Sequence, residues 1–286
     1  MPVRFAQRSS VRLSELGELG LLAELERRGL AQQIENDAAA LGDGLVVTQD
    51  SVVEGVHFRL DWLSWRELGF GAAAVNISDL AASGARPEAL LVSLGVPGET
   101  ELDAVLELYE GIAEAGVPVR GGDTVEAAMV FLTVTALGRS QRVPGRAGAR
   151  PGDAILITGP LGAAGRAYRE QRFVRPPVRV EEGIELARDA HALIDLSDGL
   201  ARDAGHIAER SGCRIVIDLE RVPLVPGATY DDLGFGEDFE LLAATPEPGR
   251  FAEIGRCEEG AGVEIRLDGK PVAFSGWEHF RLREVR

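Results

Sequence analysis

The chain has 286 residues, 45% of them apolar, and its 46 acidic against 30 basic residues give a formal net charge of −16. This length allows one large or two modest domains with a sizeable core. The acidic excess argues against nucleic acid or an anionic membrane as a partner, because both require basic patches. An anionic substrate would need a divalent metal to approach so acidic a protein.

Cysteine and lysine are both scarce in this sequence. The two cysteines, Cys213 and Cys257, form neither a disulfide framework nor a metal motif and indicate buried thiols. The single lysine, Lys270, is not in a P-loop, so phosphates would be met by metal, arginine and backbone amides. No signal peptide and no apolar run of about 20 residues is visible, and we expect a cytoplasmic protein.

The N-terminal segments predict a helix followed by a strand. Leucines recur at roughly helical spacing after Ser14, a candidate N-cap. The β-branched run from Leu45 to Thr48 predicts a buried strand. Asp50 is expected at the end of this strand, where a sheet gives way to a loop and α/β proteins place ligand-binding groups.

The clearest predicted helix covers residues 64–85. Asp79 lies one turn from its C-terminal end, where a bound cation would offset the unfavourable interaction with the helix dipole. The remaining predicted elements of this half are a strand at 89–96, a helix at 102–115, a strand at 117–119 opening into Gly121-Gly122-Asp123, and a strand at 129–137.

A stretch rich in Gly, Pro and Arg, residues 141–153, predicts a domain boundary. The elements predicted beyond it are strands at 154–158, 213–219 and 239–244, a helix ending at 211 that Ser197 could cap, and a hairpin turning at Asp268-Gly269. Alternating strands and helices indicate an α/β fold.

Acidic residues recur beside small residues at the ends of these predicted segments. The motifs are Asn36-Asp37-Ala38-Ala39, Asn76-Ile77-Ser78-Asp79-Leu80, Gly121-Gly122-Asp123-Thr124 and Asp195-Leu196-Ser197-Asp198-Gly199. Small neighbours let a phosphate or hydrated cation approach the backbone. Two unit charges about 4 Å apart repel by roughly 4 kcal/mol at an effective dielectric of 20, so clustered acids need a cation. Oxygen ligands of this kind suit Mg²⁺.

The motifs together carry a family resemblance. In chain order they read NDAA, TQDSVVEGVHF, NISDLAASGARP, GGDT, GRAGARPGD, TGPLG, RPPVR, IDLSDGLARDAGHI, GEDFELL and GWEHF. Over nearly the whole chain, this series resembles the thiamine-monophosphate kinases of the aminoimidazole ribonucleotide synthetase superfamily. The resemblance implies an α/β (α+β) fold of two domains: residues 1–138, which bind ATP and Mg²⁺ and pair their sheets in a homodimer, and residues 149–286, a C-terminal α/β domain.

The resemblance also implies a reaction and a set of site residues. The reaction is direct in-line transfer of the γ-phosphoryl group of ATP to thiamine monophosphate, assisted by several Mg²⁺ ions and without a covalent nucleophile. Asp50 would assist the metal-dependent transfer. The implied metal residues are Asp37, Thr48, Gln49, Asp50, Asp79, Asp123, Asp195 and Asp198. The implied nucleotide residues are Gly122, Asp123, Arg146 and Ser197, and the implied substrate residues are His57, Glu237, Trp277 and Phe280.

Each of these residue types also has an ordinary structural interpretation. A lone His57 is more often structural than catalytic, and Trp277 and Phe280 are otherwise typical of core packing. An aromatic face would suit the flat, cationic thiazolium of thiamine.

Five positions depart from the family pattern: Glu35 and Asn36 stand where glycine and an acid are usual, Gln49 where a second threonine is common, Ala163 where an acid is frequent, and Phe235 between the usual paired glycines. The loss of an acid at Asn36 predicts a higher Mg²⁺ requirement than in a typical member.

Other functions stay open at this point. Within the superfamily, aminoimidazole ribonucleotide synthetase is disfavoured by the GVHF, SDGLARDAGHI and GWEHF segments. Selenophosphate synthetase and the hydrogenase-maturation relative are disfavoured by the absence of a cysteine near either end of the sequence. A catalytically impaired module that binds nucleotide or thiamine phosphate is the alternative from another class.

Overall fold

The computed structural model describes residues 11–32 and 36–273. Within these residues the chain forms two sheets, one on each side of the segment 140–153. The strands are β1 Ala39–Gly42, β2 Leu45–Val53, β3 Arg86–Val96, β4 Val119–Glu126, β5 Phe131–Arg139, β6 Ala154–Ile157, β7 Ala192–Asp195, β8 Arg214–Asp218, β9 Leu241–Thr245, β10 Ala252–Glu258, β11 Gly262–Leu267 and β12 Lys270–Val272. The helices are α1 Leu13–Arg27, α2 Trp65–Ala82, α3 Leu102–Glu114, α4 Ala163–Arg169, α5 Val180–Leu186 and α6 Leu200–Ser211.

The first sheet has the strand order β1-β2-β5-β3-β4, with β3 and β4 parallel and the other neighbours antiparallel. Strand β5 alternates buried and partly exposed residues, so one face of the sheet is covered and the other is open. Helices α2 and α3 pack on the covered face around the core that includes Ile77, Leu108 and Leu132. The open face carries exposed side chains such as Leu91 and Val125.

Helices α2 and α3 approach each other through reciprocal glycines. A Cβ added at Gly69 of α2 would lie 1.9 Å from the Leu108 carbonyl oxygen, and one at Gly111 of α3 would lie 1.9 Å from the Arg66 carbonyl oxygen. Any larger side chain at either position would push the backbones apart. The spacing of α2 from α3 is therefore fixed by direct backbone contact.

The second sheet has the order β12-β11-β8-β10-β6-β9-β7 and is covered on both faces. Consecutive residues of β6 pack into different hydrophobic cores on the two faces of the sheet. Ile155 and Ile157 pack with α6, whereas Leu156 packs with α5 and the end of α2. The C-terminal residues of α2, Ala81 and Ala82, belong to this second core. Helix α2 thus contacts both sheets and connects the two halves of the molecule.

Most predicted elements are present, and their bounds show where the expectations were wrong. Helix α1 begins at Leu13 with Arg12 as N-cap, not Ser14, because the Glu15 carboxylate accepts the Arg12 backbone N–H at 3.3 Å. Strand β2 continues to Val53, paired residue by residue with β5. Asp50 therefore lies within a strand and not at its end.

Two further expectations about motif positions were also wrong. Gly121-Gly122-Asp123 lies inside β4, because these residues pair in parallel with β3, and does not form a loop after a strand. Ser197 does not cap α6. Gly199 is the N-cap, and the Asp203 carboxylate accepts the backbone N–H groups of Asp198 and Gly199 at 3.1 and 3.0 Å.

The hairpin predicted at Asp268-Gly269 is confirmed, with Leu267 of β11 opposite Lys270 of β12. The helix predicted over 64–85 is α2, with Ser64 capping it by accepting the Glu67 N–H. Cys213 and Cys257 are free and buried, as expected. None of the helices in the described part of the chain is long and apolar enough to span a membrane.

Candidate active site

Three carboxylates from distant parts of the sequence converge beside helix α2. Asp37 precedes β1, Asp79 is on α2, and Asp195 ends β7 in the second sheet. Each contributes one oxygen to a group whose members lie within 4.8 Å of one another. The sequence motifs predicted these three acids as metal ligands, and the fold brings them together.

Strand β2 adds two more predicted residues to this cluster. The Thr48 hydroxyl donates to Asp79 Oδ2 at 2.6 Å and contacts the Asp37 carbonyl oxygen at 3.1 Å. The Asp50 carboxyl lies close enough to Asp79 for its charge to raise the pKa of that acid. Because side chains alternate along a strand, Thr48 and Asp50 point to the covered face and Gln49 to the open one.

Gln49 is accordingly separated from the acids. Its side chain is exposed, and its Oε1 accepts the Thr135 hydroxyl at 2.8 Å on β5. The expectation that Gln49 joins the metal residues is therefore not supported within one chain.

One turn of helix α2 positions acids from both sheets. Asn76 Oδ1 accepts the Asp50 backbone N–H at 3.0 Å, and its Nδ2 donates to the Ala72 carbonyl at 3.0 Å. The Ser78 hydroxyl donates to Asp195 Oδ2 at 2.6 Å. Asn76, Ser78 and Asp195 are each 1% exposed, so these bonds are shielded from water.

Burial and mutual repulsion raise the pKa values of the cluster. Burial, followed by the charge of Asp37, raises the pKa of Asp195 to about 8. Burial also raises the pKa of Asp79 well above its usual value, and the charges of Asp50, Asp195 and Asp37 add to this effect. The pKa of Asp50 is raised, mainly by burial. A divalent cation would reverse these shifts by stabilising the charged forms.

The donor set fits Mg²⁺. It offers carboxylate and hydroxyl oxygens without sulfur, which are the ligands preferred by this hard cation. Oxygens of Asp37, Asp79 and Asp195 lie within 4.8 Å of one another. Without a cation between them, buried carboxylates this close would have to be protonated, because their charges repel. Asp37, Asp79, Asp195 and Asp50 are the residues that would hold the ion.

Arg146 is the nearest cation to this cluster in the described chain. Its Nη2 and Nε lie 2.6 and 3.2 Å from Asp37 Oδ1, and its side chain is only 20% exposed. The Asn36 side-chain oxygen accepts the Arg146 backbone N–H at 3.2 Å. The departure from the family pattern at Asn36 therefore has a local role, which is to hold the loop that carries Arg146.

A second group lies at the start of α6. Oxygen or nitrogen atoms of Asp198, Asp203 and His206 lie within 4.8 Å of one another. Burial, followed by the charge of Arg146, lowers the pKa of His206 to about 4, so this imidazole is neutral at pH 7. Asp198 also pairs with Arg202 at 2.9 Å.

The loop 235–240 brings Glu237 beside Ser197. The Glu237 backbone N–H donates to the Ser197 carbonyl oxygen at 2.9 Å. Glu237 and Phe239 have φ angles of 58° and 50°, a conformation that L-residues seldom adopt and that is concentrated at functional sites. The Glu237 residue as a whole is exposed, but burial of its carboxyl group, followed by the charge of Asp238, raises the pKa of that group to about 7.

Three aromatic rings form a continuous contact next to this loop. Tyr168 of α4 lies 4.7 Å from the Phe235 ring and 5.7 Å from the Trp62 ring. Trp62 follows His57 in the segment after β2, and His57 Nδ1 accepts the Val53 N–H at 3.1 Å. Tyr168 therefore lies between Trp62 of the first half and Phe235, the residue that departs from the paired glycines of the family.

Some predicted residues are outside this arrangement. Asp123 is exposed on β4, at the edge of the first sheet, and its Oδ1 accepts the Thr124 N–H at 2.9 Å. A Cβ at neighbouring Gly122 would come 1.8 Å from the Val92 carbonyl oxygen, so this glycine is required by the close approach of β3. Trp277 and Phe280 lie outside the described residues.

The sequence reasoning missed Asn76, Ser78 and Asp203 as parts of the site. Asn76 and Ser78 stand within the motif that identified Asp79, on a helix whose other residues of this region are apolar. Buried polar residues need hydrogen-bond partners, so their position in an apolar helix was an available signal. Their partners on β2 and β7 could be identified only from the fold.

Comparison with known proteins places this geometry in a family. The model of the N-terminal domain of AIR synthase related proteins matches residues 35–140. A thiamine-monophosphate kinase of Aquifex aeolicus (strain VF5) is 34% identical, over 94% of this chain and 100% of that protein. A thiamine-monophosphate kinase of Mycobacterium tuberculosis (strain CDC 1551 / Oshkosh) is 33% identical, over 94% of this chain and 93% of that protein.

Solved structures agree with the sequence relatives. The structure of AaThiL complexed with AMPPCP and TMP matches with a TM-score of 0.85 and 33% identity, covering 95% of this chain and 100% of that chain. The crystal structure of thiamine monophosphate kinase from Aquifex aeolicus matches with a TM-score of 0.81. With this identity and coverage, the chain belongs to the thiamine-monophosphate kinase family.

Proposed function

We propose that the protein transfers the γ-phosphoryl group of ATP to the phosphate of thiamine monophosphate, forming thiamine diphosphate and ADP. The observation that carries the proposal is the convergence of Asp37, Asp79 and Asp195 within 4.8 Å in a chain that belongs to this kinase family. A related structure is a complex with AMPPCP and TMP.

The carboxylate cluster would hold the Mg²⁺ ions of the reaction. Bound Mg²⁺ would neutralise charge on the transferring phosphoryl group. Asp50 and Asp79 face each other from β2 and α2, and Asp195 joins them from β7. Because these supports are rigid elements, the acids need little rearrangement on binding, and such preorganisation favours in-line transfer.

Nucleotide contacts would come from Arg146, Ser197, Gly122 and Asp123. Arg146 is bound to Asp37 at 2.6 Å, so its guanidinium can move a short distance to a phosphate once metal neutralises that acid. In the sequence, Ser197 lies between Asp195 and Asp198, and Asp198 would hold a further Mg²⁺. Gly122 and Asp123 are on the exposed edge strand β4, which is separated from β2 by strands β5 and β3.

A homodimer would give Asp123 and Gly122 a role at a shared site. The first sheet leaves one face open, with Leu91 40% and Val125 44% exposed, and β4 is an edge strand. Pairing of two such sheets would cover these apolar side chains. We therefore propose a homodimer, in which residues 1–138 form the domain for ATP and Mg²⁺ binding and dimerisation and 149–286 form the C-terminal domain.

The acceptor would be recognised by His57, Glu237 and aromatic residues. The rings of Trp62, Tyr168 and Phe235 lie beside the Glu237 loop. Aromatic faces attract a cationic ring such as thiazolium. The pKa of Glu237 is raised to about 7, mainly by burial, and a bound cation would favour its negatively charged form. Trp277 and Phe280 stay predictions for this subsite.

The first test is product formation from ATP, Mg²⁺ and thiamine monophosphate, followed by chromatography. Thiamine diphosphate and ADP should form in equal amounts. The matched control is Asp50→Asn, which keeps the size of the side chain and should form neither product. Nucleotide binding by the wild-type protein without any product would contradict the proposal and favour a binding module or another superfamily substrate.

A further inference from the structure

We propose that Ser78 is a positioning residue that sets the carboxylate of Asp195 for metal binding, with Asn76 doing the same for Asp50 from the same helical turn. The inference rests on the proposed function, since it concerns the metal that the kinase reaction would use. It adds residues that touch no substrate and act through the acids.

The Ser78–Asp195 bond crosses from one half of the molecule to the other. Ser78 is on α2, which packs on the first sheet, and Asp195 ends β7 of the second sheet. The bond is short, at 2.6 Å, and it is shielded from water because both residues are only 1% exposed. Bound Mg²⁺ would keep Asp195 ionised, and hydrogen bonds to an ionised acceptor are roughly twice as strong as neutral ones.

This bond leaves Asp195 with a defined orientation. Ser78 donates to Oδ2, and Asp195 contributes one carboxylate oxygen to the three-acid group with Asp37 and Asp79. Side chains that orient a metal ligand by a hydrogen bond typically contribute about 10- to 100-fold to metal affinity.

Asn76 acts on the other side of the cluster. Strand β1 pairs with β2 only as far as Val47, and beyond this point no other strand of residues 11–32 and 36–273 lies on that side of β2. Asn76 Oδ1 takes the Asp50 N–H at 3.0 Å in place of a strand partner. The strand is thereby held against α2 at the residue whose carboxyl group faces Asp79.

The test is a titration with Mg²⁺ alone, without substrate, followed by the rise in unfolding temperature of the wild-type, Ser78→Ala and Ser83→Ala proteins. Ser83 is the matched control, because it ends the same helix and is 2% exposed. It binds the Asp79 carbonyl oxygen only through its backbone N–H, which alanine keeps, and its hydroxyl makes no hydrogen bond to the acids among the described residues. Ser78→Ala should need about tenfold more Mg²⁺ for half of the stabilisation, and Ser83→Ala should behave as wild type.

Ser78→Thr separates the hydroxyl from packing. Threonine keeps the donor and adds a methyl group, so it should restore most of the Mg²⁺ response if orientation of Asp195 matters. The proposal is overturned if Ser78→Ala keeps the wild-type Mg²⁺ dependence, if threonine is worse than alanine, or if Ser78→Ala fails to fold with and without Mg²⁺. Because no substrate is present, these outcomes are independent of product formation by the wild type, which tests the kinase function itself.

Discussion

Arg146 places two guanidinium nitrogens on a single oxygen of Asp37, at 2.6 and 3.2 Å, and both side chains are largely shielded from water. In the absence of metal this arginine is the cation that balances the carboxylate cluster. Burial raises the pKa of Asp37 while the charge of Arg146 lowers it, so the pair carries a large part of the electrostatic balance of the site.

Replacing Arg146 by methionine should therefore destabilise the metal-free protein. Removing one partner of a buried ion pair costs about 3 kcal/mol, and Mg²⁺ should recover most of this loss by taking the place of the guanidinium. Urea unfolding with chelator and with Mg²⁺ measures both effects. Arg250→Met, which removes an exposed pair with Glu185, is the control and should cost less than about 1 kcal/mol. Equal losses in the two variants would contradict the role of Arg146.

The stability of the metal-free protein should fall as pH rises. The usual pKa of an aspartate is 3.8, and that of folded Asp195 is about 8, so between these values the folded protein binds more protons than the unfolded chain. Its free energy of unfolding should decrease by about 2 kcal/mol from pH 6 to pH 8. Mg²⁺ should flatten this dependence, because it binds the deprotonated acids.

Asp195→Asn removes one titrating group and should reduce the pH dependence, leaving the part that comes from the raised pKa values of Asp79 and Asp50. Asp189→Asn, at an exposed position nearby in sequence, should leave it unchanged. Denaturant unfolding at several pH values in chelator measures these slopes, and a stability that rises from pH 6 to pH 8 would rule out the raised pKa of Asp195.

Asp50→Ala should abolish phosphoryl transfer without loss of the fold. Loss of a metal-binding carboxylate removes about 4 kcal/mol of transition-state stabilisation, or about a thousandfold in rate. The same change relieves repulsion with Asp79, so the metal-free protein should be no less stable than the wild type. Rate measurements with circular dichroism as the fold control would decide; near-normal turnover in the folded variant would exclude Asp50 from the mechanism.

Asn36→Asp should lower the Mg²⁺ concentration needed for half-maximal turnover. An aspartate here adds a negative charge next to Arg146, whose backbone N–H Asn36 now binds at 3.2 Å, and so brings a further carboxylate to the cluster. The change should be severalfold, as for other groups around a metal site. Initial rates across a Mg²⁺ series measure it, and an unchanged series would show that Asn36 does not set the metal requirement.

The local sequence correctly predicted most strands and helices. It was less successful in predicting where the acidic residues lie within them. The β-branched residues after Leu45 identified β2, but its length was set by pairing with Phe131–Arg139, a partner far along the chain. That pairing put Asp50 in mid-strand and, by alternation, separated Gln49 from Thr48. Neither outcome is encoded in the local pattern.

Capping shows the same limit on a smaller scale. Ser197 and Asp203 are both chemically able to cap α6, and the preference of serine for N-cap positions favoured the first. The observed turn places Gly199 at the cap and directs the Asp203 carboxylate back to two N–H groups. Long-range contacts decided between two locally acceptable choices. The convergence of Asp37, Asp79 and Asp195 likewise needed the resemblance or the fold.

Helix α2 restricts how the molecule can move during turnover. It meets α3 through Gly69 and Gly111 without intervening side chains, and a Cβ at Gly183 of α5 would lie 2.1 Å from the Ala81 carbonyl oxygen. A helix held by backbone contact on both sides cannot slide or rotate independently, and the acids bound to it must keep their spacing. Opening and closing around substrates is therefore left to the segments that α2 does not hold, above all the loop of Glu237, so turnover should be limited by loop motion and not by rotation of the two sheets.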